Sequence, residues 1–207
     1  SDELIAIDVR NQVLLERLKV GEHKKFAPYL KRIERDVRIR MSDEGETIAT
    51  KKALNVLLTD VQRIQKEIYD EYILQLTGDL GDIAIQQSAF EAKSYEKVVV
   101  DFESKIPAPA QVLAAVRINP MQISNYAGDP LVEPFIRDWS KKETARVTST
   151  IQQGFSRGQT NQQIVTTIRG TKANNFRDGA LDITNRGAKS LVRTAVQHTA
   201  TQARLVT

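Results

Sequence analysis

Leu54, Leu57, Val61, Ile64, Ile68, Tyr72 and Leu76 recur at steps of 3-4-3-4-4-4, a near-heptad seam that only an α-helix gathers onto one side. The helix predicted from Ala49 to Leu76 is about 42 Å long at 1.5 Å per residue. A rod of that length with one narrow apolar stripe needs partners along it, either other helices of the chain or matching helices of neighbouring subunits. The fold class expected is therefore mainly α, an elongated bundle of long amphipathic helices. Gly78 and Gly81 read as a hinge or kink. Beyond them a more polar helix is predicted to about Val100, with Ile83, Ile85, Phe90, Tyr95 and Val98 scattered along it.

Two helices are expected ahead of this rod. Residues 2–20 follow a three-four seam of Leu4, Ile7, Asn11, Leu14 and Leu18, closed by Gly21. Asn11 interrupts the seam, and a half-wet edge position is expected for it ahead of a buried, register-fixing one. The second helix, Glu22 to Met41, turns Phe26, Leu30, Ile33, Val37 and Met41 inward, with Pro28 confined to its first turn. Its other side carries Lys24, Lys25, Lys31, Arg32, Arg35, Arg38 and Arg40 against Glu34 and Asp36. Cations so concentrated suit DNA phosphate or an acidic protein surface. They suit equally a solvated face whose arginines pair locally, which is the reading preferred. No aromatic residue interleaves with them, so a single-strand stacking platform is not expected.

Lys105-Ile106-Pro107-Ala108-Pro109 breaks the helical text. It is taken as the boundary between a long-helix bundle, 1–104, and a smaller helical domain, 105–207. In the second domain a short helix is expected over Ala110 to Ile118, then a loop from Met121 to Pro130. A long helix follows from Leu131 to Phe155, with Pro134 in its first turn. Gly158 stands where a left-handed C-cap belongs. Thr160 and Gln163 have capping-box spacing, Ile164, Val165 and Ile168 form one buried face, and Gly170 ends the short helix. Arg177-Asp178-Gly179 reads as a turn, and Ala180 to Ile183 is the one place for a short strand or hairpin. From Asn185 the text is helical again. Ala188, Leu191, Ala195, Thr199 and Ala203 make a small-residue face that a partner helix can approach closely.

The order Gly158-Gln159-Thr160, Ile164, Ile168-Arg169-Gly170 and Leu191-Val192-Arg193-Thr194 resembles the head-morphogenesis, or minor head, proteins of tailed bacteriophages, the Mu F-like family. The likeness covers roughly Val112 to Arg204, with Pro109-Ala110-Gln111-Val112 as an outlying piece. It implies structural roles for Gly158, Thr160, Ile164, Ile168, Arg169, Gly170, Arg193 and Thr194. It also implies a virion component in several copies, bound to the portal or other head proteins in the capsid interior and made in the host cytoplasm. No membrane is implied in the assembled head, and packaged DNA is a further possible partner, with which the protein would leave. One departure concerns the glutamate many relatives carry after the Arg-Thr pair, where this chain has Ala195.

Composition narrows the chemistry. The 207 residues are 41% apolar, enough for one domain or two small ones, and contain no cysteine, so neither disulfides nor thiolate zinc sites are expected. No apolar run approaches the ~20 residues that span a bilayer, and no signal-peptide pattern opens the chain; a soluble protein is expected. Residues 1–41 carry net +3, residues 42–140 net −7 and residues 141–207 net +8. An acidic middle beside a basic end suits head-to-tail contacts between subunits or a polyanion. His23 and His198 lie in different elements, and no catalytic residue, metal ligand set or cofactor motif is found. Three classes stay open: a head structural protein first, a backbone-reading DNA module second, a fragment of a wall-degrading or ADP-ribosylating enzyme third. The closing helix reaches Thr207 without a capping residue, which leaves open that the natural chain continues.

Overall fold

A computed structural model describes residues 2–98 and 105–207. Among these the chain is mainly helical with no strand: α1 (Asp2–Lys24), α2 (Ala27–Ser42), α3 (Lys51–Val98), α4 (Pro109–Ile118), α5 (Val132–Ser156), α6 (Asn161–Arg169) and α7 (Ala180–Leu205). A single 3-10 turn, Lys172–Asn174, lies between α6 and α7. The strand expected over Ala180–Ile183, and with it the hairpin, is absent. These residues are the first turn of α7, because Ala180, Leu181, Thr184 and Ala188 are buried at helical spacing.

Two further expectations change. Gly78 and Gly81 do not end the long helix; α3 runs through both for 48 residues. Glycine inside a helix costs only ~1 kcal/mol against alanine, and at Gly81 the missing side chain has a use. A Cβ there would lie 3.1 Å from Leu113 Cδ2 of α4, so the residue admits a close neighbour rather than a bend. The α1 seam is only half covered: Ile7 and Leu18 are half-buried and Leu4 and Leu14 exposed, while Asn11, expected at a half-wet edge, is buried with Leu15, Lys19 and Glu22.

The described residues gather into two compact units, each drawn from both sides of the expected 104/105 boundary. One comprises the segment ending at Lys24 with Leu74–Ile136 and Ser190–Thr207; the other comprises Lys25–Ile73 and Arg137–Lys189. In the second, α2 contributes Phe26, Ile33, Val37 and Met41, α3 contributes Leu57, Val61, Tyr69 and Tyr72, and α5 adds Trp139, Val147 and Ile151. The Phe26 ring meets Tyr72 at 4.8 Å and Trp139 at 5.5 Å between centroids, edge to face with the latter. In the first, Leu80, Ile83 and Ala84 of α3 pack in a core with Val112 and Val116 of α4 and the small-residue face of α7. Ala188, Leu191, Ala195, Thr199 and Ala203 are all buried, as their spacing predicts.

Candidate functional site

The residues singled out by sequence fall into separate places. Lys24 closes α1 and belongs to the first unit, whereas Lys25, Lys31, Arg32, Arg35, Arg38 and Arg40 belong to the second. Four of the arginines have carboxylate partners. Arg32 holds Glu71 at 2.5 Å, Arg35 holds Asp36 at 2.7 Å, Arg38 holds Glu34 at 3.2 Å, and Arg40 bridges Asp60 at 2.7 Å and Glu44 at 2.8 Å. The hydrogen bond from Glu71 raises the Arg32 guanidinium above its ordinary pKa, and that from Asp60 does the same for Arg40. This face binds α2 to α3 and to its own neighbours. A phosphate approaching it competes with a carboxylate at each of these arginines.

The Gly158–Gly179 stretch is built from local chemistry. α5 runs out at Ser156, and Gly158 reverses the chain at φ 67°. Thr160 then caps α6: its hydroxyl accepts from the Gln163 N–H at 3.2 Å while the Gln163 side chain accepts from the Thr160 N–H at 2.9 Å. Ile164 and Ile168 are buried beneath, and Gly170 ends α6 at φ 93°, a conformation side chains avoid. Asn161, the first residue of α6, was not marked by sequence. Its side-chain amide donates to the Gly45 carbonyl at 2.8 Å and to the Met41 carbonyl at 3.3 Å, closing the C-terminal end of α2. Its backbone N–H adds the Glu46 carbonyl at 2.8 Å. The available signal was an asparagine directly after a capping threonine, with an open loop, residues 42–46, needing donors.

Between Gly170 and Gly179 the chain closes on Asp178. One carboxylate oxygen accepts the Thr171 N–H at 2.7 Å; the other accepts the Thr171 hydroxyl at 2.7 Å and the Asn174 amide at 2.9 Å. These donors, Asn174 foremost, hold the carboxyl well below its usual range. Asn175 and Phe176 both take positive φ, and the Phe176 ring stands exposed with the Arg169 guanidinium 5.1 Å from its centre. A Cβ on Gly179 would fall on the backbone of Arg169 and Gly170, so only glycine fits the closing approach.

Arg193 and Thr194 belong to the first unit, and the other motif positions belong to the second. Arg193 and Thr194 line a groove of about 660 Å³ with Lys19, Gln197, His198 and Met121. Lys19, buried, donates to Glu16 and Gln197, each at 2.8 Å, and Arg193 reaches the same glutamate at 3.2 Å. His198 sets a ring nitrogen 3.3 Å from the Val116 carbonyl, and half-burial lowers its pKa. Polar and apolar side chains share the groove wall, and Glu16, outside it, engages both of its cations.

Among the described residues no group of three or more His, Cys, Asp or Glu side chains is placed to hold a metal ion. No helix among them is long and apolar enough to cross a membrane. No family model, no curated protein and no solved structure matches the chain.

Proposed function

We propose that this chain is a minor head protein of a tailed bacteriophage, acting by docking rather than by making or breaking bonds. The observation that carries the reading is the conformation of the motif itself. Gly158, Thr160, Ile164, Ile168 and Gly170 each hold a specialised place in one continuous turn–helix–turn: left-handed reversal, cap, two core contacts, and strained stop. A motif whose residues are spent on backbone shape serves a scaffold. Its displayed parts, the exposed Phe176 with Arg169 and the α1 surface described below, are of the kind that protein partners cover. The partners of this reading are the portal or other head proteins, within the capsid and in several copies.

The DNA-module alternative draws less support, because Arg32, Arg35, Arg38 and Arg40 already pair with carboxylates. Mixing the purified chain with portal rings from the same phage tests the proposal. The chain should co-sediment with the rings and lose that association when Phe176 is changed to Ser. Binding to duplex DNA that falls steeply with salt, with no binding to rings, supports the alternative instead.

A further inference from the structure

We propose that the outward face of α1 is a self-association surface that pairs antiparallel with the same face of a second copy. This goes beyond the proposed function and stands whether or not the chain belongs to a phage head.

α1 fully buries three polar side chains, Asn11, Lys19 and Glu22, and one apolar one, Leu15, with Ile7 and Leu18 half-buried beside them. On the opposite side Ile5 is 60% exposed, Val9 57%, Val13 48% and Val20 48%. At 100° per residue these four fall within an arc of roughly 80°, which Glu16 shares between Val13 and Val20. A surface helix normally shows the reverse arrangement, so the stripe reads as the face meant for a neighbour.

Charge chooses the neighbour. Asp2 and Glu3 stand at one end of the helix; Arg17 and Lys24 stand toward the other. A parallel copy sets like charges together, whereas an antiparallel copy sets Asp2 against Lys24. With that register the two-fold axis passes through Val13 and Ala6 meets Val20. The contact is isologous, as a closed dimer requires. A single helix pair lies at the small end of interface sizes, below ~1,200 Å², so the dimer is reversible.

The chain contains no cysteine, so introduced thiols report cleanly. Sedimentation velocity of the full chain should show the mass rising from one chain toward two between about 1 and 100 µM. V13C should form a disulfide-linked dimer under mild oxidation, because the two sulfurs meet on the axis. V20C alone should not, since its copies lie about 21 Å apart along the helices, whereas a mixture of A6C and V20C chains should cross-link. Val13→Glu, at an exposed position, should abolish the mass increase and leave circular dichroism and thermal midpoint unchanged. A strictly monomeric native chain at 100 µM overturns the proposal, as does a V20C chain that cross-links as well as V13C.

Discussion

The Asn11 side-chain amide donates to Glu91 Oε1 at 3.1 Å across 80 residues of sequence, and both residues are buried. Gln87 donates to Asn11 at 3.0 Å and to the same Glu91 oxygen at 3.0 Å, and Arg204 adds an ion pair at 3.2 Å. α1, α3 and α7 are thus tied by one shared polar cluster. Replacing Asn11 with Ala strands buried partners, and stability should fall by about 1–3 kcal/mol. Urea unfolding should show a lower midpoint with an unchanged slope.

Gly179 and Gly158 offer a matched pair of substitutions. Gly179→Ala drives a methyl into the Arg169 backbone and should cost about 3 kcal/mol. Gly158→Ala meets nothing within 4 Å and suffers only the left-handed backbone, about 1 kcal/mol. Chemical denaturation of the two variants side by side checks the order.

The cap of α6 is a third test. Thr160→Ala removes the acceptor for the Gln163 N–H and should cost ~1 kcal/mol. Because Asn161 follows and closes α2, amide exchange should quicken at the Asn161 N–H, which donates to the Glu46 carbonyl, as well as within α6.

α6 was legible because its signals are local: a capping threonine, a glutamine three residues on, and a glycine at each boundary. α1 was not. Its inner side is held by Asn11 and Lys19, whose partners Glu91 and Gln197 lie far along the chain. A rule that places apolar residues inward does not find them. Gly81 misled for a related reason, since glycine as punctuation and glycine as packing space look alike until Leu113 is in view. Four residues at Ala180–Ile183, three of them apolar, carry no period, and only the continuation to Ala188 shows a helix. The seven cations read as one helix face, yet Lys24 falls on α1, and Glu71 and Asp60, which neutralise two of the arginines, lie on another helix.

Asp178 fixes the acid behaviour of the loop. Its folded pKa is depressed below the unfolded value, so its contribution is complete above the ordinary carboxylate range and is lost as pH falls through the folded value. The Thr171 amide resonance should stay unchanged from pH 7 through about 4, where a free aspartate titrates, and move only in stronger acid. Asp178→Ala should loosen Thr171 and Asn174 at neutral pH, seen as faster amide exchange.

The central claim is that the chain is a built-in component of a phage head. Quantitative mass spectrometry of purified DNA-filled particles from a host carrying the phage tests it most directly. The account predicts peptides of this chain at a fixed copy number per particle, retained through gradient purification. Particles that are complete and infectious without it would contradict the account.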